Sequence, residues 1–295
     1  MKKQLSVRFL FAALCMTTVC FTGCEGDEGP TGPAGEAGAA GATGAAGSTG
    51  DRGSAGAAGA AGERGPAGTG YSSVTLTMDN TDKSVGKSVQ IFQGNATSNN
   101  SGFNYIGVKG GASGRIRTLM SFDIAKANLP ADAVIVDAIL TLYPQMDNVS
   151  TSLCHYHIFP VNSEWNEATC TWNVAATGTS WTAPGGDYSS TTRIGEFGIA
   201  PKTAQDDAIP IQAHLSAAYV QNWNSGHANY GFIIRVDNEA VSVNTILYMH
   251  SRKATGNNVA KRPSLRIVYA RASQMATSMS AEGIRAEYQT SLQSK

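Results

Sequence analysis

From Tyr71 to about Ala270 the chain carries short runs of alternating apolar and polar residues, separated by clusters of Gly, Asn, Asp and Ser. That is the pattern of half-buried β-strands bounded by turns. Val74, Leu76 and Met78 alternate with Ser and Thr, and Val134, Val136, Ala138, Leu140 and Leu142 alternate with Ile135, Asp137, Ile139 and Thr141. Because successive strand side chains point to opposite faces, the second run predicts one long strand with Val134 to Leu142 on a common face. Further runs are Ser88 to Phe92, Arg117 to Phe122, Leu153 to Phe159, Gly231 to Val236, Thr245 to Met249 and Ser264 to Tyr269. About ten strands at this spacing predict an all-β domain, a jelly-roll β-sandwich. One helix is predicted inside it, Ile211 to Trp223, from Leu215, Tyr219, Val220 and Trp223 at three- and four-residue steps, stopped by Gly226. Beyond Ala270, Met275, Met279, Ile284, Tyr288 and Leu292 recur at four- or five-residue steps and predict a short amphipathic C-terminal helix. Such a stripe needs a partner, either its own head or two other tails.

The pattern before Tyr71 is of another kind. From Gly26 to Gly68 every third residue is glycine without a break. Three polyproline-II strands can share an axis only if each third side chain is a hydrogen, so this phase predicts a collagen-like stalk and a homotrimer. Only Pro30, Pro33 and Pro66 stiffen it, and alanine fills most other positions. A weak triple helix of that kind depends on the head or tail to hold three chains in register.

Upstream again, Lys2, Lys3 and Arg8 precede an apolar run from Phe9 to Phe21, followed by Thr22, Gly23 and Cys24. A dozen or so apolar residues is well below the roughly 20 of a membrane-crossing helix and fits a secretory signal. The end of the run resembles a bacterial lipobox, with Phe21 where leucine is usual. That resemblance implies lipidation of Cys24 and a lipid-anchored protein of the bacterial outer membrane or cell surface, touching the membrane through its acyl chains alone. Four segments follow: a signal peptide over 1–23, a stalk over 24–70, a β-sandwich over 71–270 and a helical tail over 271–295.

Composition narrows the chemistry. The 22 basic and 22 acidic residues balance, which leaves no basic footprint for a nucleic acid. Cleavage after Gly23 would leave Cys154 and Cys170 as the thiols of the head. Export permits a disulfide between them, and two separately buried thiols are the alternative. His155 and His157 share one side of a strand, but two imidazoles without a third ligand make no metal site. No pair of carboxylates at a defined separation, activated nucleophile or phosphate-binding loop can be read, so no cofactor and no enzymatic activity is expected.

Four blocks of the head resemble the DNRLRE domain family, a jelly-roll family close to carbohydrate-binding modules. They are Ile106 to Lys109 with Arg117 to Ile124 and Leu129-Pro130; Val134 to Tyr143; Glu164 to Glu167 with Thr171 to Asn173; and Val220 to Gly226 with Asn229 to Gly231, Ser251-Arg252 and Arg262 to Leu265. Ser121 and Lys253 stand where that family usually has arginine and glutamate. The resemblance implies a non-catalytic module for a polysaccharide, acidic ones included. Lys109, Arg115, Arg117 and Arg252 are then the candidates for holding a uronate carboxylate, since a guanidinium meets a carboxylate with two parallel hydrogen bonds. Trp165, Trp172 and Trp223 are expected in packing. Trp181, in a loop with no periodic partner, is expected as the exposed aromatic platform. A structural or adhesive protein binding a protein partner is the second expectation, and a polysaccharide-degrading enzyme the third.

Overall fold

The computed structural model describes residues 70–100, 102, 104–109, 114–145, 153–199, 209–240, 245–275 and 279–293. These fall within one compact unit, Glu63–Lys295. The expected signal peptide, Cys24 and the glycine triplets lie outside the described residues.

The head is an all-β sandwich of antiparallel strands. One sheet has four strands in the order β1 (Tyr71–Thr77), β13 (Ser264–Arg271), β5 (Ala133–Leu142) and β10 (Ile211–Leu215). The other runs β12 (Leu247–Met249), β3 (Asn104–Val108), β4 (Arg115–Phe122), β11 (Phe232–Val236), β6 (Cys154–Pro160) and β9 (Gly195–Ile199), with β2 (Gly86–Phe92) also paired to β4. A two-stranded ribbon, β7 (Val174–Ala176) and β8 (Thr179–Ser180), stands apart. Among the described residues two α-helices complete the unit, α1 (Ala217–Asn224) and α2 (Ala281–Gln293), beside four short 3-10 turns.

Period-two alternation builds three apolar layers. Met120, Phe122, Tyr156, Ile158, Phe232 and Ile234 face the four-stranded sheet and make the central core with Leu140, Leu142, Leu265 and Ile267. Their chain neighbours Leu119, Phe159 and Ile233 face the other way, into a second layer with Val89, Ile91 and the indoles of Trp165, Trp172 and Trp181. A third layer lies outside the four-stranded sheet, where Ile284 and Tyr288 of α2 pack on Val136, Val268 and Ala270. The C-terminal stripe therefore finds its partner on its own head. Leu292, one turn past Tyr288, stays 45% exposed.

Two sequence expectations are corrected by the backbone. Ile211 to Leu215 is strand, and the helix begins only after Ser216, whose hydroxyl accepts from the Tyr219 amide. Ile211, Ala213 and Leu215 are buried while Gln212 and His214 are exposed, so period two prevails and Leu215 serves both patterns. The α1 helix does stop before Gly226, at φ +89°. In β5 the expected single face is broken by a bulge: Ile135 pairs with Tyr269 but Asp137 with Val268, leaving Val136 as the extra residue. Val134 and Val136 consequently point outward to α2, while Ile135, Ala138, Leu140 and Leu142 point into the core. The Ile135 amide is satisfied by the Gln221 side chain of α1 at 2.8 Å.

Cys154 lies in the central core and Cys170 in the tryptophan layer, so the disulfide alternative is not realised and both remain buried thiols. Burial pushes the Cys170 thiol up to about 12.

Candidate functional site

Three of the side chains expected to meet a ligand are closed inside the head. Arg117 shares the outward face of β4 with Leu119 and runs into the tryptophan layer. Its Nε and Nη2 donate to the two carboxylate oxygens of Glu239 at 2.7 and 2.6 Å, and Nη1 donates to the Gly185 carbonyl at 2.6 Å. The guanidinium also stacks at 4.8 Å from the Trp172 ring and 5.3 Å from the Tyr188 ring. Gly185 makes this approach possible: it sits at φ +102°, and a Cβ there would lie 2.7 Å from Arg117 Nη1 and 2.8 Å from Trp172.

Arg252 is 1% exposed. It forms a two-pronged ion pair with Glu167, and its Nη1 also reaches the carbonyls of Asp79 and Asn80 at 3.2 and 3.4 Å. Glu167 in turn accepts from the Ser88 amide at 3.0 Å. Beside it Arg262 pairs with Asp79 and donates to the Ala254 carbonyl at 3.0 Å. Hydrogen bonds from the Thr81 hydroxyl and nearby amides hold the Asp79 carboxyl well below the usual carboxylate range, and Arg262 adds to the effect.

Trp181 is 4% exposed, not the open platform its loop position implied. The segment after β8 folds back so that Trp181 Nε1 donates to the Thr171 carbonyl at 3.0 Å and Gly185 N to the Trp172 carbonyl at 2.7 Å. Trp165 is buried as expected, donating to the Tyr230 carbonyl at 2.8 Å under the Lys87 ammonium, which lies 4.3 Å from its ring. Lys109 is exposed and Arg115 half-buried, at adjoining ends of β3 and β4, where Val108 pairs with Arg115. Arg115 shares its face of β4 with Arg117, but Arg117, Arg252 and Trp181 are buried, so the five candidates form no common exposed surface.

A surface groove lies where the edge strands β9 and β10 meet. It is a groove of about 440 Å³ presenting Arg193, Glu196, Gln212, His214 and Ser216 over the side of Leu215. That size falls in the range of about 300–1,000 Å³ usual for small-molecule sites. The Ser216 amide donates to the Ile194 carbonyl at 2.7 Å, tying the two strands together beneath it. Arg193 pairs with Glu196 at 2.7 Å and donates to His157 Nε2 at 3.1 Å. Burial and the Arg193 charge keep the His157 imidazole below its usual range, which suits an acceptor nitrogen. On the other wall, His214 Nδ1 lies 2.9 Å from the buried carboxylate of Asp137, which alternation with core-facing Ala138 puts on the outer side of β5. The groove thus offers paired charges and several hydrogen-bonding groups of both senses. The sequence expectation of a helix over Ile211 to Trp223, and of no element over Gly195–Ile199, conceals this groove, because both of its walls are strands. The alternation of Ile211, Ala213 and Leu215 after Pro210 was the signal available.

Among the described residues no group of three or more His, Cys, Asp or Glu side chains is arranged to hold a metal ion. Among those residues His155 and His157 are not joined by a third ligand.

Fold and sequence together define a collagen-stalked β-sandwich, a surface or structural protein. A collagen triple helix repeat model matches residues 21–72. The chain belongs to the disaggregatase related repeat domain family, whose model matches residues 90–267, more than half of its length. No curated protein matches the chain.

Proposed function

We propose that this is a lipid-anchored bacterial surface protein whose collagen-like stalk displays a non-catalytic, glycan-binding β-sandwich. The observation that carries the binding reading is the polar groove on the β9 and β10 edges. Planar side chains with both donors and acceptors are what a hydroxyl-rich ligand requires. The resemblance of four head blocks to the DNRLRE family points the same way. Arg117, Arg252 and Trp181 no longer support it, since each is consumed by internal partners. Presentation on a trimer would strengthen weak binding, because a second head engages at the effective concentration set by the stalk. The lipobox-like end of the export signal supports anchoring at Cys24.

The test uses the mature chain with Cys24→Ala, displayed on an array of neutral and uronate-bearing glycans beside Gln212→Ala and Arg193→Ala variants. Binding that falls about tenfold in the variants, a loss of about 1.4 kcal/mol, supports the groove. Absence of any bound glycan refutes the reading, and shortening of a bound glycan refutes its non-catalytic part. Labelling with a clickable fatty acid checks the anchor separately: label retained in Cys24→Ala removes the lipid claim.

A further inference from the structure

We infer that His157 decides which ligand charge the β9 and β10 groove accepts: uncharged, it ties Arg193 down, and protonated, it frees Arg193 to take a carboxylate-bearing glycan. The inference rests on the groove being a glycan site and adds to it a positioning residue that lies behind the groove. His157 stands on β6 between two strands, opposite Glu196 of β9 and Arg235 of β11. Arg193, at the groove, donates through Nη1 to His157 Nε2 at 3.1 Å and pairs through the same nitrogen with Glu196 Oε2 at 2.7 Å. A guanidinium stays charged and carries only donors, so this Nε2 is the bare, accepting nitrogen of a neutral imidazole. Both hydrogens of Nη1 are then engaged.

Protonation puts a hydrogen on Nε2 and turns that contact into two donors facing each other. The Glu196 Oε2 oxygen, 3.6 Å from Nε2, is the acceptor within reach of the new hydrogen. His157 and Arg193 then compete for one carboxylate. The other charged groups facing His157 are held elsewhere. Arg235 donates through Nη1 to the Val236 and Asp237 carbonyls at 3.0 and 2.9 Å, and its guanidinium lies 5.1 Å from the Phe159 ring. The Asp237 carboxylate accepts from the Asn238 amide at 2.6 Å. Among the described residues, Arg193, Arg235, Glu196 and Asp237 set two cations and two carboxylates around the imidazole, so its proton takes the cluster from neutral to singly positive. His155, two residues along the same strand face, lies against Gly198. On the far wall His214 faces the Asp137 carboxylate, which would balance a proton there. Burial and the Arg193 charge hold His157 below the usual imidazole range, so the change falls on the acid side of neutrality. A singly positive cluster with a released guanidinium at the groove matches a uronate, whose carboxylate can accept two parallel hydrogen bonds from it.

The experiment uses the mature chain with Cys24→Ala and two probes, an oligogalacturonate and the neutral oligogalactoside of equal length. Affinities are measured at about pH 7.5 and about pH 4.5, either side of the ordinary imidazole range, with circular dichroism to show the head folded at both. The acidic probe should bind at least about fivefold more tightly at the lower pH, the small end of the usual coupling between sites, while the neutral probe gains nothing. His157→Gln, which keeps an acceptor for Arg193 but takes no proton, should abolish that gain, and His155→Gln should retain it. An acidic probe bound equally at both pH values overturns the proposal and leaves the groove reading standing. A gain that survives in His157→Gln overturns it in the same way. Failure of both probes at both pH values overturns the groove reading and this inference together. A ligand-free check follows the imidazole nitrogen NMR signal that His157→Gln removes: its midpoint should lie below the usual range and rise in Arg193→Ala. A midpoint unmoved by that variant also overturns the proposal.

Discussion

Replacing Glu167 by Ala strands a charge. The Arg252 guanidinium is 1% exposed and its carboxylate partner among the described residues is Glu167, itself 13% exposed at the side chain. Removing one member of a buried ion pair costs about 3–5 kcal/mol, because the remaining charge has lost both water and its counter-ion. The Ser88 amide loses its acceptor in the same step. Against a total stability of about 5–15 kcal/mol the loss is severe. For a unit of about 200 residues each kcal/mol moves the midpoint by about 2–4 °C, so Tm should drop by roughly 6–20 °C. Circular dichroism at rising temperature, paired with urea titration, measures both quantities. Adding Arg252→Met to Glu167→Ala removes the stranded charge and should recover part of the loss, since an apolar pair of similar volume costs little. The reasoning is refuted by a single variant within 1 kcal/mol of wild type, a threshold set by the usual worth of exposed pairs. It is equally refuted by a double variant less stable than the single.

Further outcomes follow from the same geometry. Asp79 has its pKa lowered by the Thr81 hydroxyl, neighbouring amides and Arg262, so its contribution is present above the unfolded value of about 3.9 and is lost as pH falls below it. Asp79→Asn should flatten the acid limb of a stability-against-pH curve, and an unaltered limb would count against the assignment. Cys154 and Cys170, buried in different layers, should stay unmodified by thiol reagents at pH 8 until urea unfolds the head, and intact mass should show no loss of two hydrogens. Ile284→Ala should destabilise the head by about 2–5 kcal/mol, as expected for a buried isoleucine, whereas a frayed tail would leave it unchanged.

Strand existence was legible in the sequence because it rests on local alternation: the runs at Ser88, Arg117, Gly231 and Ser264 all correspond to observed strands. The two misreadings also have local causes. Leu215 fits both a strand ending and a helix beginning, and a bulge that moves Val136 out of phase leaves no mark in the residue types. The site was far less legible, because what decides it is distant in sequence. Arg117 meets a carboxylate 122 residues away and Arg252 one 85 residues away. Arginine types at plausible positions cannot tell an open guanidinium from a consumed one. Trp181 misled for the same reason, since lack of a periodic partner means only that its packing is irregular.

These internal arginines change what the head can be expected to recognise. Each guanidinium carries a carboxylate partner and is shut behind indoles or main chain, an arrangement that organises the outer layer over the seven-stranded sheet. Exposing either one to a uronate would first require breaking a buried pair, at about 3–5 kcal/mol, before any binding energy is gained. A weak glycan contact cannot supply that. The proposed recognition would therefore fall to groups already facing solvent. In the β9 and β10 groove, Arg193 is 48% exposed and already partnered by Glu196, so the charge there is balanced before any ligand arrives. A neutral, hydroxyl-bearing ligand would add hydrogen bonds to that groove without displacing an ion pair, whereas an acidic one would have to compete with Glu196 for Arg193.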